Sequence, residues 1–231
     1  MHIKFEIQRF KHCYIFLYPI VYMICFLLLE QYVKPTHIIE LPIDRKIPFC
    51  EYFFIPYSMW FLYVAVTVLV FFLFLDLGDF YRMCMHLYLG MTIFLIVSAL
   101  YPNGQNLRPD VFPRDNLMTE MVKALYLTDT PTNILPSIHV YNSICIHTAI
   151  ARNQTLGRIR WLNISSFLLM CLIILSTVFL KQHSVVDVIS GIVLAIAFYP
   201  LFYIKNWIPY RSRFPIQKQF LQNKTSAGDC R

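Results

Sequence analysis

The chain has 231 residues, of which 58% are hydrophobic and 14% charged, with a mean hydropathy of +0.54 and a formal net charge of +7. This is far on the apolar side of the balance that a water-soluble domain keeps, so a soluble enzyme and a basic nucleic-acid-binding module are both poor descriptions, and lipid is the expected solvent. Several uncharged windows reach the roughly 20 residues that a helix needs to cross the hydrocarbon core. Helices are expected, because lipid offers backbone amides no partner except one another.

The first apolar run lies between Lys11 and Glu30, after Lys4, Arg9 and Lys11, as in a secretory signal peptide. It is long and aromatic-rich, and no small-residue cleavage site follows it, so it reads as a retained span. A segment from Lys34 to Pro56 with Pro35, Pro42, Pro48 and Pro56 cannot be one regular helix and is expected along the membrane interface. The second span runs from Glu51 to Asp76, and the third starts near Arg82 and ends at the turn-forming Tyr101-Pro102-Asn103-Gly104. A polar loop follows to Pro136, and its acids Asp110, Asp115, Glu120 and Asp129 read as a solvated face.

The fourth helix begins at Pro136 and Ser137 and runs to about Ala151, short for a span, with its start expected to be recessed into the protein. It carries His139 and His147, the second read as a buried packing or hydrogen-bonding residue. The fifth span lies between Arg160 and Lys181, and the sixth runs from about His183 to Ile204. His86, Trp60 and Trp207, near helix ends, read as interface or packing groups. The expected architecture is therefore all-α, a polytopic membrane protein of six transmembrane helices with its site at one membrane face. Residues 1–231 form a single membrane domain: 1–56 the first helix and interfacial loop, 57–205 the remaining helices with a core at 101–191, and 206–231 a basic tail.

The seven cysteines form no CxxC pair and mostly sit in apolar segments, where a thiol acts as a small hydrophobe. Basic residues give the orientation. Lys4, Arg9, Lys11, Arg82, Arg152, Arg158, Arg160, Lys205, Arg211, Arg213, Lys218, Lys224 and Arg231 fall on one side of the spans and outnumber those on the other. The positive-inside rule then places both termini in the cytoplasm and the loops after spans one, three and five outside, with the plasma membrane as the expected location.

Three polar clusters interrupt the apolar pattern: Asn106-Leu107-Arg108-Pro109, Pro136-Ser137-Ile138-His139, and Lys181-Gln182-His183 with Asp187. All three fall in loops on one membrane face, so they can meet. His183 and Asp187 are four residues apart and share a helix face if the sixth helix has begun there, the carboxylate holding one ring nitrogen and leaving the other as nucleophile or base. His139 falls in the first turn of a helix, where unpaired N–H groups and the dipole favour an anion and Ser137 can cap or donate. Arg108 offers a planar fork to phosphate oxygens. A structural role for each of these residues is the alternative reading: a helix-joining pair, a packed histidine, a headgroup contact. Ionisable groups at membrane depth are costly and tend to be functional, which favours chemistry.

Together these residues resemble the membrane-bound phosphatidic acid phosphatase type 2 superfamily, whose signature is lysine, six residues, Arg-Pro; then PSGH; then Ser-Arg, five residues, His, three residues, Asp. The resemblance implies that His183 is the nucleophile forming a phosphohistidine, that Asp187 orients it, that His139 is the general acid, and that Arg108 and Ser137 bind phosphate. Three signature positions differ: Tyr101 stands for the lysine, Ile138 for the PSGH glycine, and Ser176-Thr177 for Ser-Arg. Lys181, two residues before His183, is the candidate replacement cation. The departures are also similar to those of the branch that contains inositol phosphorylceramide synthases.

No carboxylate cluster is spaced for magnesium, so no metal or cofactor is expected. The leading expectation is a lipid phosphatase acting on a lipid phosphate or isoprenoid pyrophosphate at the outer face, with the bilayer and its lipid substrate as partners and no nucleic acid. A headgroup phosphotransferase using the same histidine is the second reading, and a non-catalytic lipid-binding protein the third.

Overall fold

A computed structural model describes residues 9–205. Residues 1–8 and the tail at 206–231, with Trp207, lie outside the described residues. Among the described residues the elements follow in chain order: α1 (Leu17–Tyr32), entered through a 3-10 turn at Lys11–Phe16, the short α2 (Pro42–Lys46), α3 (Phe54–Phe74), α4 (Leu77–Leu100), α5 (Leu117–Thr128), α6 (Ile138–Arg152), α7 (Arg160–Phe179) and α8 (Val185–Tyr203). Two two-residue strands, β1 (His37–Ile38) and β2 (Asn103–Gly104), pair in parallel, His37 opposite Asn103.

Among the described residues, five helical segments are long and apolar enough to cross a membrane: 11–32, 51–74, 77–100, 160–179 and 185–203. They leave Ile24, Phe61, Leu168 and Ile196 exposed, a surface that suits lipid rather than water. The all-α polytopic architecture is the one expected.

The sixth long helix, α6, has only 15 residues and lies at the centre, in contact with α3, α4, α7 and α8. Val140, Tyr141, Cys145 and Ile146 are fully buried there. Two glycines admit it. A Cβ on Gly90 would lie 2.1 Å from the buried Tyr141 ring, whose hydroxyl donates to the His86 carbonyl at 2.6 Å. A Cβ on Gly191 would lie 2.9 Å from the Ser137 carbonyl, so α8 packs directly on the start of α6. His147 hydrogen-bonds the Ser166 hydroxyl at 3.1 Å, the packing role expected of it.

Two parts of the chain differ from the sequence reading. The stretch at 104–136 is not simply a polar loop, for it contains α5, capped by the Asn116 side chain on the Thr119 N–H, with Thr119 and Val122 buried. The proline-rich segment at 34–56 does not merely follow the interface. Its Asp44 and Glu51 are buried at 2% and 0% exposure, and Glu51 accepts both Arg114 nitrogens and Asn116, tying the 101–116 loop to the entrance of α3.

Candidate active site

The site forms where α6 and α8 begin. Pro136 enters through a cis peptide, and Ser137 caps α6, its hydroxyl accepting the Val140 N–H. The Asn103 side chain accepts the Ile134 and Leu135 N–H groups at 2.9 and 3.0 Å and so fixes the approach to this turn. Ser137 is fully buried, and its own N–H donates to the Asp187 carbonyl at 3.2 Å, a direct stitch between the two helix starts. His139 thus occupies the first turn of α6.

The α7–α8 junction is tight. Thr177 O accepts the N–H groups of Gln182 and His183, and Lys181 adopts a left-handed backbone, φ 54°, to make the reversal. His183 precedes the helix rather than opening it, so the condition for a shared helix face is not met. The N-cap of α8 is Ser184, and Asp187 completes a capping box by accepting the Ser184 N–H at 2.8 Å. That box turns Asp187 toward the preceding residue, so Oδ2 lies 3.5 Å from His183 Nδ1 all the same.

The two histidine rings stand 5.6 Å apart, centroid to centroid, in an edge-on arrangement. His139 is held between Tyr57 at 4.6 Å and Trp60 at 4.4 Å, both from α3. Of the two roles expected of Trp60, interface or packing, the ring takes the second and forms a wall of the histidine pocket. Tyr57 is 1% exposed, and its hydroxyl donates to Asp129 Oδ2 at 2.6 Å, which also accepts Gln182 Nε2 at 3.1 Å. Asp129 is accordingly a half-buried hydrogen-bond hub rather than one more acid of a solvated face. Asp115 and Glu120, the acids that pair with Lys123, do face solvent.

The cations expected to hold phosphate are engaged elsewhere. Arg108 donates to the Tyr126 and Asp129 carbonyls and to Gln182 Oε1 at 2.6 Å, and lies over the Tyr126 ring at 4.2 Å. Lys181 reaches back to the Asp44 and Ile47 carbonyls, at the end of α2. Burial pushes its ammonium below the ordinary lysine value, against the opposing pull of the Asp44 carboxylate. The structure thus brings His139, His183, Asp187 and Ser137 together around the two helix starts. It places Arg108 and Lys181 in the adjoining shell, where each fastens a loop.

Asp44 is a residue that the sequence reading missed. Its Oδ1 accepts the Val185 N–H at 2.8 Å, and its Oδ2 accepts the Ser184 hydroxyl at 2.7 Å and the Leu41 N–H at 2.6 Å. A buried carboxylate therefore sits on the amino end of α8, where the helix dipole favours it. Pro42 followed by Asp44 is a helix-start pattern that could have marked α2, but nothing local points across 140 residues to Ser184. Among the described residues no group of three His, Cys, Asp or Glu side chains gathers as metal ligands would.

The fold defines an integral-membrane protein, with two histidines brought together at the abutting starts of α6 and α8. A model of the PAP2 superfamily matches residues 83–211, more than half of the chain, and the protein belongs to that superfamily, whose members are generally phosphatases acting on lipid phosphates. No curated protein and no solved structure matches the chain.

Proposed function

We propose that the chain is a metal-independent lipid phosphatase that cleaves a lipid phosphate or isoprenoid pyrophosphate through a phosphohistidine on His183. The observation that carries this reading is the pairing of His139 and His183 at 5.6 Å, with Asp187 at Nδ1 of His183. With Nδ1 facing the carboxylate, Nε2 of His183 attacks phosphorus as the bond to the leaving oxygen breaks, and protonated His139 gives that oxygen its proton. Water then attacks the phosphohistidine, its proton passes to His139, the P–N bond breaks and phosphate departs. Asp187 keeps His183 in the tautomer that presents Nε2. Positive-inside orientation makes this an outer-face site of the plasma membrane with both termini cytoplasmic.

The second reading, transfer of the phosphoryl-bearing group to an alcohol, draws on Arg108 and Lys181. Both are committed to carbonyl partners, which leaves less positive charge for a phosphate monoester and suits a diester headgroup. The discriminating experiment incubates purified protein in excess EDTA with lipid phosphates, pyrophosphates and headgroup-bearing phospholipids, with and without diacylglycerol or ceramide. Free phosphate from a monoester or pyrophosphate, unaffected by the added alcohol and blocked by vanadate, is the expected result. An acceptor-dependent new phospholipid without phosphate release establishes the second reading, and activity lost in EDTA but restored by magnesium overturns the mechanism.

A further inference from the structure

The opposite end of the bundle holds a second polar cleft. It lies at the far end of the 15-residue α6, about 20 Å of helix away from the turn that carries His139. The carboxyl ends of α3, α6 and α8 and the first turn of α4 enclose a cavity of about 220 Å³, with Asp79, Arg82, Arg152 and Asn153 in its lining beside the apolar Phe71 and Ala149.

The hydrogen-bond inventory of this cleft is lopsided. Both oxygens of Asp79 are already taken, one by Arg82 Nη1 at 2.7 Å and the other by Asn153 Nδ2 at 2.9 Å. Arg152 has no anionic partner among the described residues, its guanidinium resting 5.9 Å from the Tyr199 ring. The Tyr203 hydroxyl, which also lines the cavity, is shielded from solvent and has no hydrogen-bond partner there. Arg82 is committed to Asp79, and Asp76 lies near enough to act on Asp79 as well, so the capacity left in the cleft is that of the Arg152 guanidinium and the Tyr203 hydroxyl, both donors. A complementary ligand must bring negative charge and several acceptor oxygens, which a phosphate group does and which guanidinium binds in a fork.

Position selects the source of the phosphate. The cleft sits where membrane-crossing helices end, at headgroup depth, with an apolar wall behind the charges. The geometry points to a binding site for the phosphate of an anionic glycerophospholipid drawn from the leaflet opposite the histidine site.

The test uses full-length protein in mixed nanodiscs of phosphatidylglycerol and phosphatidylcholine, with retained lipids counted by native mass spectrometry after release. Wild type should retain phosphatidylglycerol about tenfold over phosphatidylcholine. Arg152 is exposed at the rim, so Arg152→Glu should fold and bring that ratio near one, while Arg152→Lys, which keeps the charge, should preserve most of it. Arg152→Gln is the second variant and should also lose the preference. Arg152→Glu or Arg152→Gln with an undiminished ratio overturns the site. So does glycerol 1-phosphate or inorganic phosphate raising the melting temperature as much as phosphatidylglycerol does, because a soluble anion would then suffice.

Discussion

The two ends of α6 are both polar, yet they spend their polar groups in opposite ways. At its start the cations Arg108 and Lys181 are consumed by backbone carbonyls, the serine hydroxyls cap helices, and two imidazoles are left side by side in an edge-on arrangement. At its end Asp79 is consumed and a guanidinium is left over. A pair of imidazoles can exchange protons and form a bond to phosphorus, whereas arginine, which stays protonated, can only bind. The comparison teaches that the functional residue in such a membrane bundle is the one whose hydrogen-bonding capacity the fold leaves unspent.

The largest effect that sharpens this contrast belongs to the histidines. His183→Asn should leave the protein folded in detergent and lower lipid phosphate turnover by about ten-thousand-fold, in keeping with loss of a nucleophile. His139→Asn should cost about a hundred- to ten-thousand-fold, the usual range for general acid catalysis, and should slow formation of the phosphorylated enzyme. Steady-state phosphate release measures both, and wild-type turnover in the His183 variant on every substrate that the wild type accepts would break the contrast.

A smaller effect is expected from Asp44, which touches neither histidine and holds the start of α8 from outside. Asp44→Ala strands the Val185 N–H and the Ser184 hydroxyl and should cost about 3 kcal/mol, read as a lower melting temperature in detergent. Asp44→Asn keeps one acceptor and should remain folded, with kcat reduced about tenfold through misplacement of Asp187 and His183. An unchanged kcat in a folded Asp44→Asn protein would show that the amino end of α8 is set without that carboxylate.

The long apolar helices were legible because each is built around a long uncharged window, although α4 begins at Leu77, ahead of Asp79 and Arg82, and the meeting of His139 with His183 was legible because their loops share a membrane face by parity. What escaped was non-local or masked. Asp44 finds its partners 140 residues away, and no local pattern encodes that. Helix α5 was hidden because Glu120 and Lys123 on its outer face outweigh the spacing of Met118, Val122 and Leu125 on its inner one. Trp60 reads as an interface or packing group from its place near a helix end, and only the packing of α3 on α6 sets its ring against His139. The positions of Arg108 and Lys181 were legible, but not that their donors go to carbonyls, since the carbonyls of Tyr126, Asp129, Asp44 and Ile47 carry no side-chain signature.

The most direct measurement of the central claim is capture of the covalent intermediate. Purified protein is mixed with a radiolabelled lipid phosphate, quenched within milliseconds in base, digested, and its labelled peptide sequenced by mass spectrometry. A base-stable, acid-labile phosphate on His183, absent in His183→Asn, is the predicted result. Burst release of phosphate with no label on the protein, or label on His139 in place of His183, would contradict it.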